Sequence, residues 1–271
     1  MKIKEVIAAL EQFAPLPLQE DYDNAGLQLG LTEAEVSGAL LCLDVTEETV
    51  AEAVEKGCNL VVSHHPLLFR GLKQIVDADS VQRTVKMAIK NDVTIVSMHT
   101  NLDNAVGGVN WKIAEKLGLQ TGRQGVQGVQ GVQGVQGVQG VQGEKCGLYV
   151  GTFAKPLSAN DFISLLKTRM EAQCVMTNEL LKREIRKVAI CGGAGSFMLD
   201  DAIAQGADAF VTGEMHYHEY FGHDQEIQIA VIGHYESEHF TNELFREIIE
   251  RECKGVRCVM AESQKNPVRY Y

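Results

Sequence analysis

Ile3, Val6, Ile7, Leu10 and Phe13 recur at helical spacing before Pro15 and Pro17, which predicts an amphipathic helix over 3–13. The pattern then changes to short apolar runs separated by amphipathic stretches. Residues 38–43 and 59–62 are continuous apolar runs that predict buried strands, with a helix between them capped by Thr46 and stopped at Gly57. A helix over 78–90 and a strand over 93–97 repeat the alternation. It resumes with strands at 148–153, 187–190, 209–212 and 227–232, and with helices at 158–169, 199–205 and about 235–253. Strands buried on both faces and separated by helices predict an α/β fold with mostly parallel sheets flanked by helices.

Between the two halves of this alternation the chain repeats Gly-Val-Gln, with glycine at 125, 128, 131, 134, 137, 140 and 143. Glycine at every third position also occurs in collagen, but the segment has no proline, so a linker is expected rather than a triple helix. The expected organisation is an N-terminal α/β lobe over 1–123, a low-complexity linker over 124–143 and a C-terminal α/β lobe over 144–271. The linker carries no ionisable group.

Composition narrows the function classes. The chain has 271 residues, 45% of them apolar, and no apolar run near the ~20 residues that span a bilayer. A net charge of −11 argues against affinity for phosphate backbones, which depends on Lys and Arg. Nucleic acid and membrane are therefore not expected partners. Seven cysteines without a CxxC pair fit reduced thiols and a cytoplasmic location better than disulfides.

Five polar clusters stand just past the carboxyl ends of predicted strands, where parallel sheets bind their ligands. They are Ser63-His64-His65-Pro66, His99-Thr100-Asn101-Leu102-Asp103, Gly192 to Ser196, Gly213-Glu214-Met215-His216 and Gly233 to Glu238. Beyond a strand end, His64 and His65 can both turn toward one cleft, and Pro66 keeps His65 extended. Adjacent ligands that point slightly apart suit two metal ions better than one. His234 and Glu238 stand four apart on one helical face, although a solvated helix cap would look the same. With Asp103 they complete a nitrogen and oxygen set, His64, His65, Asp103, His234 and Glu238, in which Glu238 is long enough to bridge. Zinc, manganese, iron and nickel all accept such donors. Two ions about 3.5–4 Å apart would generate a hydroxide nucleophile at neutral pH.

His99 is a candidate proton shuttle, or a residue that only hydrogen-bonds backbone. Glu214, His216 and His218 could form an outer shell or be solvated. Gly192 to Ser196 could cradle phosphate, although the turn lacks the lysine of a P-loop. No Ser, Cys or Lys nucleophile stands beside a base in these clusters, so any catalysis should depend on metal.

Tyr22-Asp23-Asn24-Ala25-Gly26-Leu27, Leu43-Asp44-Val45-Thr46, Ser63-His64-His65-Pro66 with Phe69, His99 to Asp103, and Gly233-His234-Tyr235 with Glu238 resemble, in this order, the YbgI or NIF-three-like family. Its members are widely catalogued as GTP cyclohydrolase 1 type 2 homologues. The resemblance implies a dinuclear metal site on His64, His65, Asp103, His234 and Glu238, two α/β lobes around it, and a ring-shaped homohexamer. Three functions are compatible with it: a metal-dependent hydrolase of a nucleotide or related small molecule, a phosphoesterase using the same ions, and a non-enzymatic metal-binding or adaptor protein.

Overall fold

The computed structural model describes residues 1–124 and 147–271. Its strands are β1 (Gly26–Leu29), β2 (Ala39–Cys42), β3 (Leu60–Ser63), β4 (Thr94–Ser97), β5 (Gln120–Gln124), β6 (Tyr149–Leu157), β7 (Met176–Thr177), β8 (Ile185–Cys191), β9 (Ala209–Thr212), β10 (Gln228–Val231) and β11 (Cys258–Met260). The helices are α1 (Ile3–Phe13), α2 (Glu47–Glu55), α3 (Ser80–Lys90), α4 (Thr100–Asp103), α5 (Val109–Leu117), α6 (Ala159–Arg169), α7 (Leu199–Ala204), α8 (His234–Glu238) and α9 (Thr241–Glu252). Apart from Gln124, which closes β5, the expected Gly-Val-Gln linker lies outside the described residues. Among the described residues no helix is long and apolar enough to cross a membrane.

Two compact units form. The first comprises residues 1–105 and 241–267, the second 106–240 and 268–271. These limits differ from a division at a linker over 124–143. Val109, Ile113 and Leu117 make α5 part of the second unit, where it packs on β6, β8 and α6. At the other end, the helix expected over about 235–253 breaks at His239 and Phe240. α8 stays with the second unit, and α9 packs on α1 and β2 of the first.

In the first unit the sheet order is β1-β4-β3-β2-β11. β2, β3, β4 and β11 run parallel and β1 is antiparallel. Every residue of β2, β3 and β4 is buried, which is why they read as unbroken apolar runs. α1 buries Ile3, Val6, Ile7 and Leu10, and Thr46 and Asp79 cap α2 and α3 by accepting from the N–H of Thr49 and Gln82. The second sheet, ordered β5-β6-β8-β9-β10-β7, is parallel only at its centre, β8-β9-β10. Its outer pairings are antiparallel.

β11 is held from the side by Glu52, whose carboxylate accepts from the N–H groups of Glu262 and Ser263, both at 2.8 Å, and from Lys56 Nζ at 2.7 Å. Burial alone would raise this carboxyl, but the hydrogen bonds hold it down to about 2 from the usual 4.5. The folded value lies below the unfolded one, so its stabilisation is complete above about pH 4.5 and is lost as the pH falls toward 2. Glu52→Gln is therefore expected to cost about 1–3 kcal/mol at pH 7 and much less near pH 2, read by urea unfolding at both pH values.

Candidate metal centre

The parallel register aligns the carboxyl ends of three strands in the first unit, with Cys42 opposite Ser63 and Ser63 opposite Ser97. Asp44 follows β2 by two residues, His64 and His65 follow β3 directly, and His99 follows β4 by two, so all four emerge at one sheet edge. The backbone there is fixed by buried hydroxyls. Ser63 Oγ and Ser97 Oγ lie 2.8 Å apart and 3.0 and 3.3 Å from the His65 carbonyl, so that one hydroxyl donates to the carbonyl and the other to its neighbour. The His65 N–H in turn donates to the Leu43 carbonyl.

His64, His65 and His99 converge, with ring centroids 5.1–5.5 Å apart and one ligand atom from each within 4.8 Å of the others. Each ring's tautomer follows from its partner. His64 Nδ1 lies 2.8 Å from the Met98 carbonyl, which can only accept. His65 Nδ1 is 2.7 Å from Asp44 Oδ1, and His99 Nδ1 is 2.7 Å from Asp23 Oδ1. All three therefore carry their hydrogen on Nδ1 and leave Nε2 as the nitrogen that could take a metal ion or a proton, the arrangement by which carboxylates and carbonyls orient metal-binding imidazoles. Asp103 Oδ1 stands 3.7 Å from His64 Nε2, beyond hydrogen-bonding distance but close to the ~3–3.5 Å that separates two donors sharing one ion at ~2.0–2.2 Å each.

Asp23 is fully buried behind His99. Burial would raise its carboxyl, but hydrogen bonds from His99 and Thr100 hold it down to about 2, so it remains an anion. α4, which carries Asp103 and is preceded by His99, is tied down by two buried asparagines. Asn101 Nδ2 donates to the Ala14 carbonyl, and Asn104 Nδ2 donates to the Leu18 carbonyl and Glu20.

The second sheet repeats the device. Cys191 is opposite Thr212, and Thr212 is opposite Val231, so Gly192 and Gly193, Glu214 and His234 leave one edge. His234, the first residue of α8, has Nε2 2.9 Å from Glu238 Oε2 and Nδ1 2.9 Å from Glu214 Oε1. Glu238 is buried. Its position depends on Gly193, which has φ +58° and where a Cβ would lie 2.2 Å from Glu238 Oε1.

In the glycine-rich turn the three glycine amides are already used, so they do not point to a phosphate. The N–H groups of Gly192, Gly193 and Gly195 donate to Asn110 Oδ1, Ser237 Oγ and Thr212 Oγ1. Of the three outer-shell candidates, Glu214 is the one that bonds a predicted ligand. His216 is exposed, and His218 packs against Tyr217 and Phe221. A cavity of about 600 Å³ in this unit, lined by Met176, Met215, Tyr217, Tyr220 and Phe221 among others, contains none of the predicted ligands.

Asp23 and Asp44, which orient His99 and His65, are candidate residues that sequence reasoning did not assign, although both stand inside the motifs that carry the resemblance. His99, expected as a shuttle or a backbone-bonding residue, is the third member of the histidine cluster. Cys42 is wholly buried, and burial, with Asp44 nearby, pushes its thiol well above the usual range.

An α/β fold whose sheet edges present oriented imidazoles and carboxylates defines a protein with groups that could hold a metal ion. The chain belongs to the Duf34/NIF3 (NGG1p interacting factor 3) family, whose model matches residues 1–267. A relative from Clostridium perfringens named GTP cyclohydrolase 1 type 2 homolog is 31% identical over 275 residues, covering all of both chains. Among solved structures, Staphylococcus aureus protein SA1388 superposes with a TM-score of 0.86 at 25% identity, covering 100% of this chain and 99% of that one. The protein ybgI shares the fold, with a TM-score of 0.82 at 21% identity and coverage of 99% and 100%.

Proposed function

We propose that the protein is a metal-dependent hydrolase acting on a nucleotide or related small molecule, with His64, His65, Asp103, His234 and Glu238 holding two divalent ions. The observation that carries this reading is the common tautomer of His64, His65 and His99, each with Nδ1–H on an oxygen acceptor and Nε2 turned to its neighbours. The surrounding carboxylates, Asp23, Asp44 and Asp103, favour a cation there, and the all nitrogen and oxygen set suits zinc, manganese, iron or nickel. When bound, such ions supply Lewis acidity and bring water activation into the neutral pH range. His99, anchored on the Asp23 anion, can accept or return a proton at Nε2 while its Nδ1–H stays in place. The nucleotide class is taken from the name of the Clostridium perfringens relative. A ring-shaped homohexamer is the assembly that the family resemblance implies.

Elemental analysis of the purified protein, followed by a panel of GTP, other nucleotides and simple phosphate esters, tests the reading. Near two ions per chain with opening of the purine ring supports it. Phosphate release without ring opening selects a phosphoesterase, and a metal-loaded protein inert to the whole panel selects the adaptor. Asp44→Asn keeps the His65 ligand but removes the anion behind it, so metal affinity is expected to fall about 10–100-fold, measured by competition with a chromophoric chelator.

A further inference from the structure

Tyr22 and Phe69 are large aromatic side chains left 66% and 45% exposed, and they stand together beside the histidine cluster of the first unit. Their ring centroids are 6.4 Å apart, and Phe69 meets the His99 ring edge-to-face at 6.2 Å and 84°. Exposed single aromatics are common on protein surfaces, but here two separate loops are built to bring them together. Asp23, next to Tyr22, is hydrogen-bonded to His99 and Thr100, and Asn24 Nδ2 donates to the Leu68 carbonyl at 2.7 Å, next to Phe69. Gln28 bridges the same loops, accepting from the Leu68 N–H and donating to the Asn24 carbonyl. The loop that orients His99 through Asp23 is thus the one that Asn24 and Gln28 tie to the loop of Phe69.

We propose that Tyr22 and Phe69, whose ring planes are inclined at 60°, form a stacking platform that takes the planar heterocyclic ring of the substrate face-on against one ring and edge-on against the other, beside the imidazoles that would hold metal. The inference rests on the hydrolase reading for the metal and adds the part of the ligand that the ligating residues cannot recognise. Stacking uses the π-face that every nucleobase has, so the platform distinguishes ring from no ring more than one base from another.

The test compares guanosine 5′-monophosphate, uridine 5′-monophosphate and ribose 5-phosphate by equilibrium dialysis against the metal-loaded protein. All three carry the same phosphate and sugar. Both nucleotides are expected to bind at least about tenfold more tightly than ribose 5-phosphate. Tyr22→Ala with Phe69→Ala should bring that ratio to within about twofold of one at unchanged metal content, and Tyr22→Phe with Phe69→Tyr should retain it. Equal binding of the three by the unaltered, metal-loaded protein overturns the platform, as does no binding of any of them. An unchanged ratio in the double alanine variant overturns it too. If that variant loses metal or secondary structure, Tyr22→Leu with Phe69→Leu replaces it and is read in the same way. Absence of metal from the unaltered protein instead overturns the hydrolase reading on which the platform rests.

Discussion

Paired substitution of His65 and Asp103 by alanine is expected to lower metal affinity by more than about a hundredfold and to abolish turnover of any substrate accepted from the panel. The two residues belong to different elements, the turn after β3 and the end of α4, and each adds a donor to the edge where His64 stands. Removing both leaves His64 as the first unit's one remaining proposed ligand, with its Nδ1–H bond to the Met98 carbonyl intact. Turnover by the unaltered protein should rise through neutral pH and disappear with chelator, since the chemistry requires bound metal. Cys42→Ser serves as the control. It changes the side chain of a buried strand residue that is none of the predicted ligands and keeps the Cys42 carbonyl that accepts from the His64 N–H, so turnover per folded molecule should stay nearly unchanged. Metal analysis and a rate measurement on the same preparations check both halves of the expectation.

Gly193→Ala should cost about 2–3 kcal/mol and weaken metal binding. About 1 kcal/mol comes from holding a side chain at φ +58°, and the rest from a Cβ only 2.2 Å from Glu238 Oε1, which forces the carboxylate away from His234. Gly206→Ala separates these contributions. Gly206 also has a positive φ, +67°, but a Cβ there meets nothing within 4 Å. It should lose only about 1 kcal/mol and leave metal binding unchanged. Thermal unfolding and chelator competition on the two variants give the comparison, and equal metal affinity in both would refute the steric account of Glu238.

The parts of this site that a reader of the sequence can find are those encoded locally. Ser63-His64-His65-Pro66 is conspicuous because polar residues follow at once on a four-residue apolar strand. The capped helices at Thr46 and Ser158 announce themselves by short-range chemistry. β7 and β11 are too short to show a pattern, β1 and β5 interleave polar residues instead of forming an apolar run, and the polar Gln120–Gln124 and the two-residue Met176–Thr177 are strands only because a partner edge waits for them. The roles of Asp23 and Asp44 were hidden for a similar reason. Asp23 reaches His99 across 76 positions and Asp44 reaches His65 across 21, through a sheet register that no local pattern contains. The break between α8 and α9 was also invisible, since the helical periodicity of 235–253 runs through Phe240, which is buried in the turn itself.

The return of residues 241–267 to the first unit has a consequence for how the chain comes off the ribosome. Residues 1–105 emerge first but lack α9 and β11, so the open edge of β2 and the apolar face of α1 must wait while residues 106–240 are translated. At roughly 5–20 residues per second that delay is about 7–27 s, long compared with the time in which small domains fold. The unit encoded in the middle is therefore synthesised up to all but residues 268–271 before the amino-terminal one can close. Until then the amino-terminal unit keeps an unpaired strand edge, the point most open to aggregation or chaperone capture during synthesis.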